Sequence, residues 1–312
     1  MTSLPPLPVL AYQAGAMVAR HLPGAFVGGA AAKVAVTASR HRPGLVQRRQ
    51  MVGRHLERAL GPGLGRADLD ACVDAAFASY ARYWAESLRL PGTSPAEIDA
   101  GMSWEGIGRI SRVVAAGRGA ILALPHLGGW EWGGFWMVQQ GFPMTVVVEA
   151  LEPPELFEWF AGFRRSLGME VVAVGPAAGR AVVRALRAGA VVCLLCDRNV
   201  GGSGGVDVEF FGERTQLPAG PATLALRTGA ALLPAAVYFD GDGDRHLAVV
   251  RPEIVPEPVT KGAGAAATRA EVARMSQLLA GELEVLIRRA PTQWHLMQPN
   301  WPSDPGYRHM AG

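Results

Sequence analysis

The stretch LALPHLGGWEWGG, residues 122–134, holds the side chains best suited to chemistry: His126, Gly128, Gly129 and Glu131. His126 follows an apolar run that looks like a strand, at the carboxyl end where open α/β sheets bind ligands. Two glycines remove side-chain bulk, so another molecule can approach the backbone where the next helix begins. Free N–H groups at that helix start could stabilise negative charge. On a continuous helix, five residues would rotate Glu131 away from His126. With His126 in a turn and Glu131 in the first helical turn, the carboxylate can curl back towards the imidazole. Such a pair suits general-base catalysis: the carboxylate orients one ring nitrogen while the other takes a proton from a hydroxyl. The same spacing also fits a satisfied strand-end histidine and a glutamate favoured by the helix dipole.

Other apparent motifs fail on context. GGSGG at 201–205 matches G-x-S-x-G at Ser203, but a nucleophile elbow needs a strand leading directly into a helix, and here the loop leads into VDVEFF. Cys193 and Cys196 form C-x-x-C within an expected strand, where that spacing sends the side chains to opposite faces. No second pair completes a zinc site, no phosphate-binding loop is present, and neither a metal nor a nucleic acid partner is expected.

From residue 119 onward, amphipathic runs ending in glycine alternate with short aliphatic runs, as in RALRAG-AVVCLLC and LALRTG-AALLPAAVYF. Glycine ends each helix in the left-handed conformation, and the apolar run that follows is a buried strand. Strands are expected near 119–124, 144–149, 170–174, 190–196, 206–211, 231–239 and 246–251, with helices near 127–140, 154–167, 177–188, 219–228 and 267–289. The fold class is α/β: a mixed, largely parallel sheet flanked by helices, with a helical N-terminal region. Residues 1–115 carry no strand series and are expected to cap a catalytic body at 116–312, the whole forming one domain.

At 312 residues, 49% hydrophobic and 18% charged, the chain can bury a sizeable core without any clean run of about 18 apolar residues that would span a membrane. Early prolines and no basic leader argue against a cleaved signal peptide, and three cysteines fit a reducing compartment. Net charge is only +3, but residues 1–58 hold eight Lys/Arg (Arg20, Lys33, Arg40, Arg42, Arg48, Arg49, Arg54 and Arg58) against Glu57 alone. Interleaved with apolar residues such as Leu10, Val18 and Val34, they suit a peripheral segment on the cytoplasmic face of a membrane. An ordinary helical hairpin with a solvated basic face would look the same.

His126-Leu-Gly-Gly-Trp-Glu131 resembles the H-x4-D/E motif of glycerolipid acyltransferases, in the form found in the bacterial lipid A lauroyl/myristoyl acyltransferase family. The resemblance continues in order through VVVEA with Glu149, FRRSLGMEVV with Arg164, LLCDR with Asp197 and Arg198, and VEFFGERTQLPAG with Glu209. The closing QWHLMQPNW, with His295, is similar to the phosphatidylinositol mannoside acyltransferases of actinobacteria, and the likeness covers roughly residues 5–305. It implies a glycerolipid acyltransferase-like fold with His126 as base and Glu131 as its partner. It further implies Glu149, Arg164, Asp197, Arg198, Glu209 and His295 around the substrates. Acyl-coenzyme A would be the donor, with acyl carrier protein the other candidate. The acceptor would be a sugar hydroxyl of a membrane glycolipid, and no resident cofactor is implied. DRN at 197–199 departs from the family's D-R/Q-D, which leaves no third acid. From the residues alone, a thioesterase using water and a noncatalytic lipid-binding protein stay open.

Overall fold

The computed structural model describes residues 24–148, 154–175, 177–199, 204–241, 243–258 and 264–307. Glu149, Ser203 and residues 1–23, with the start of the basic N-terminal stretch, lie outside the described residues.

The main sheet comprises β1 (Met102–Glu105), β2 (Ala120–Leu124), β3 (Met144–Val148), β4 (Glu170–Ala173), β5 (Val191–Leu195), β8 (Ala231–Phe239) and β9 (His246–Val250), in the order β1-β9-β8-β2-β5-β3-β4. Five neighbours, β8, β2, β5, β3 and β4, run parallel. β9 returns antiparallel to β8, and β1 follows β9. β6 (Gly205–Phe210) and β7 (Glu213–Pro218) form a separate antiparallel hairpin.

The helices are α1 (Gly24–His41), α2 (Pro43–Leu60), α3 (Arg66–Arg89), α4 (Pro95–Ala100), α5 (Ile107–Ala115), α6 (Trp130–Gln139), α7 (Pro154–Ser166), α8 (Ala178–Arg187), α9 (Gly220–Thr228) and α10 (Gly264–Arg289). β2 is buried along its whole length because both faces are covered. Ile121 and Ala123 face a core shared with α8, α9 and α10, while Ala120, Leu122 and Leu124 face one shared with α5 and α6. That alternation is the two-residue period of a strand. β3 and β5 begin buried and become half-exposed towards their carboxyl ends, which opens the crevice there.

Two expectations need correction. The expected strands begin near 119, but MSWE at 102–105 is an edge strand of the main sheet, too short at four residues for its apolar–polar alternation to announce it. The strand at 205–210 does not join that sheet. It pairs with ERTQLP, whose polar composition hides a strand buried on one face only.

Helices α1 to α3 are tied together and to the chain's other end. Arg40 and Arg49 both pair with Asp70 and Asp74, and Arg54 and Arg58 both pair with Asp304. Four of the eight basic residues expected to form a cationic face are thereby committed within the protein.

Candidate active site

Leu124 of β2 lies beside Leu195 of β5 in parallel register. His126 and Asp197 each stand two residues beyond that pair, so the register itself brings them together. The Cys196 N–H donates to the Leu124 carbonyl at 2.8 Å and extends the ladder into the turn. His126 Nδ1 meets Asp197 Oδ1 at 2.5 Å, and the His126 backbone N–H donates to Asp197 Oδ2 at 3.0 Å. Asp197 is wholly buried, whereas the His126 side chain keeps 21% of its surface exposed. Burial opposes ionisation of Asp197, but the His126 charge and the hydrogen bonds from His126 and Trp294 outweigh it and hold the carboxyl below its ordinary range. Nδ1 is committed, so Nε2 is the nitrogen left to meet a substrate.

Glu131 does not curl back to His126. It is buried in the first turn of α6 and faces Arg164 of α7, whose Nε lies 3.1 Å from Oε1 and whose Nη2 also donates to it. Tyr83 of α3 donates its hydroxyl to the same oxygen at 3.4 Å. Burial, then the Glu131 charge, pushes the Tyr83 phenol well up, which keeps it a neutral donor. The histidine's carboxylate partner is therefore Asp197, while Glu131 and Arg164 form a second, buried ion pair beside it. Arg164, expected around the substrates, has its guanidinium turned onto Glu131.

The glycine N–H groups are not free for an anion either. Gly128 N–H donates to the Gln293 carbonyl and Gly129 N–H to the Val237 carbonyl. Gly128 sits at φ 62°, and a Cβ there would lie 2.0 Å from the Val237 oxygen. A Cβ on Gly129 would lie 2.7 Å from the His246 ring. The glycines thus let the loop press against β8 and His246, itself buried and bonded to Glu86 at 2.8 Å.

His295 is present at the site but sealed behind it. Its N–H donates to the His126 carbonyl at 2.7 Å, and its Nε2 meets the Ser79 hydroxyl at 2.9 Å. Burial, with the nearby His126 charge adding to it, pushes its pKa down to about 3, so the ring is neutral. Arg198 follows Asp197 and is half-buried. Glu209 is exposed on β6, its backbone clasped by Gln277 of α10, and among the described residues no contact links it to His126 or Asp197.

A narrow cavity of about 70 Å³ runs beside the Glu131–Arg164 pair, lined also by Trp130, Gly134, Val146 and Cys193. A second of about 30 Å³ shares Trp130, Gly134 and Cys193 and continues beneath α6 towards Trp104 and Met137. The neighbouring tryptophans divide their work. Trp130 lines this space, stacks on Tyr83 and sets its face at 87° to the His126 ring. Trp132 is core, stacked on His246, and Trp136 bonds Asp99 at the surface. Burial raises the Cys193 thiol to about 12, so it acts as an apolar wall and not as a thiolate.

Ser79, Tyr83 and Trp294 belong to the site and are not evident from the sequence. Ser79, Tyr83 and Glu86 lie four and three residues apart on α3, a one-face spacing that could have drawn attention to them.

The family described as bacterial lipid A biosynthesis acyltransferase matches residues 7–303 of this chain. A phosphatidylinositol mannoside acyltransferase of Mycolicibacterium smegmatis is 37% identical over 302 residues, spanning 95% of this chain and 91% of that protein. One of Mycobacterium tuberculosis is 37% identical over 303 residues, spanning 94% of this chain and 88% of that protein.

Proposed function

The chain belongs to the bacterial lipid A biosynthesis acyltransferase family, and from that premise we propose that it transfers a long fatty acyl group from acyl-coenzyme A to a sugar hydroxyl of a phosphatidylinositol mannoside. The observation that carries this reading is the His126–Asp197 dyad, with Nδ1 held by a buried carboxylate and the ring partly open. In the proposed step, His126 Nε2 takes the proton of the acceptor hydroxyl as its oxygen attacks the thioester carbonyl. Asp197 favours the imidazolium that forms. The tetrahedral oxyanion collapses, the carbon–sulfur bond breaks, and the imidazolium proton goes to the departing thiolate. No acyl-enzyme is required. The cavity beneath α6, walled by aliphatic and aromatic side chains, Cys193 and glycine, suits the end of an apolar donor chain, and the adjoining one reaches the Glu131–Arg164 pair.

The cytoplasmic face of the membrane is the proposed workplace. No helix among the described residues is long and apolar enough to cross a bilayer. Lys33, Arg42 and Arg48 are exposed, as is Val34 beside Lys33 in the chain at 69%, a combination suited to peripheral contact with acidic lipid. Incubation with palmitoyl-coenzyme A and phosphatidylinositol mannosides, followed by mass spectrometry, tests the reaction. An acylated mannoside that disappears in folded His126→Ala is expected. Free fatty acid released at the same rate with or without acceptor would instead indicate a hydrolase.

A further inference from the structure

In QWHLMQPNW, the residues on either side of His295 reach deeper into the dyad than His295 does. The Trp294 indole N–H donates to Asp197 Oδ2 at 2.8 Å, and the Asn300 amide donates to the Asp197 backbone carbonyl at 2.9 Å. Both residues are buried, at 3% and 4% exposure. The same segment runs alongside the histidine loop, with Trp294 bridged to Leu127, Gln293 accepting from Gly128 and His295 donating to His126.

We infer that Trp294 is a positioning residue of the proposed acyl transfer: its N–H fixes the Asp197 carboxylate so that Oδ1 stays on His126 Nδ1. This rests on the reading of His126 as the base. The chemistry favours an indole for the task. Oδ2 also accepts from the His126 backbone N–H, at 3.0 Å, so the indole is its second and shorter donor, and the one that holds the carboxylate from outside the histidine loop. A hydroxyl could turn its proton elsewhere, whereas an indole N–H is donor-only and points where its ring points. That ring is wedged among His55, Phe211 and Trp301, with centroids 5.5 to 6.4 Å away. The titratable groups around Asp197 are His126, His55, His295 and Cys196. His55 and His295 are held neutral by burial, and the Cys196 thiol is pushed well up.

Trp294→Phe removes the N–H and keeps most of the ring. Expected is a ten- to hundred-fold fall in kcat, in line with a lost hydrogen bond to a charged group, with KM for the acyl donor unchanged. The acid limb of the kcat/KM profile should move to higher pH, because carboxylate charge no longer shared with the indole holds the imidazolium more tightly. Trp301→Phe is the packing control, since its N–H serves the Phe210 carbonyl and not Asp197; its acid limb should stay in place. In the wild-type protein, which removes any dependence on folding of the variant, the 15N-labelled Trp294 indole resonance should shift with pH in step with the His126 ring. Wild-type kcat and acid limb in Trp294→Phe, an equal loss with the same limb in Trp301→Phe, or an indole resonance flat through the His126 titration would each overturn the role. The resonance needs no substrate, so a protein that transfers no acyl group would sink the proposed function while this test still reported on Trp294.

Discussion

Asp197 holds a negative charge with no solvent access, stabilised by the His126 charge and by hydrogen bonds from His126 and Trp294, so replacing its charge tests the dyad directly. Asp197→Asn should lower kcat by about 10²–10⁴ through loss of imidazolium support and of the correct tautomer, with protein still folded by circular dichroism. Glu131→Gln should behave differently. It strips the partner from a buried guanidinium and should cost about 3–5 kcal/mol of stability, read from denaturant midpoints. The pH profile of whatever activity remains should keep its wild-type acid limb, because Glu131 does not touch His126. A shifted limb would restore Glu131 as the histidine's partner. The two ends of the motif, His126 and Glu131, face different partners.

At the scale of elements, helix α6 rests on the sheet through Gly133 and Gly134. A Cβ on Gly133 would lie 2.8 Å from Val237, a branched side chain with little room to move. At Gly134 the nearest atom is the flexible end of Met169, at 3.0 Å. Gly134→Ala should therefore fold, gain slightly in helix propensity, and narrow the cavity that both lining sets share. If the donor chain lies there, kcat/KM should shift from palmitoyl- towards shorter acyl-coenzyme A in a chain-length series. An unchanged series would place the donor chain elsewhere. The alternation of helices and strands was legible because glycine stops and aliphatic runs are local signals. β1 and β7 were not: each has one covered face or an edge position, and neither carries the apolar run that marks a central strand.

At the scale of the molecule, the N-terminal helices and the C-terminal segment hold each other across the site. His55 of α2 bonds the Gln298 carbonyl at 2.9 Å and lies against Trp294 and Trp301. Burial is the main cause that pushes its pKa down to about 4. The unfolded chain takes up that proton near pH 6.5. Between about 6.5 and 4 the unfolded state binds more protons, so stability is full above this window and falls as pH drops through it, by about 3 kcal/mol from His55. His295, held down to about 3, extends the loss to lower pH. Urea midpoints measured from pH 7 to 4.5 should fall, and His55→Gln, which can still donate to Gln298, should flatten the slope. On the proposed membrane surface, charge reversal at Lys33, Arg42 and Arg48 together should weaken binding to phosphatidylinositol-containing vesicles by at least a hundredfold, at about 1 kcal/mol for each cation removed. Reversal at Arg40 or Arg49 should instead loosen the helical hairpin, because those cations already hold Asp70 and Asp74.

The alternation of strands and helices from residue 119 onward, the family and the histidine at a strand end were all determined by the sequence, because each is written in contiguous residues. Which carboxylate serves that histidine was decided only by the tertiary structure. β2 and β5 lie 71 residues apart at His126 and Asp197, and two other strands come between them in the chain. Only the pairing of those strands in register, Leu124 beside Leu195, sets the two side chains face to face. Five residues along the chain, Glu131 looks nearer. Helix geometry turns it towards Arg164, and proximity in sequence gives way to proximity across the sheet.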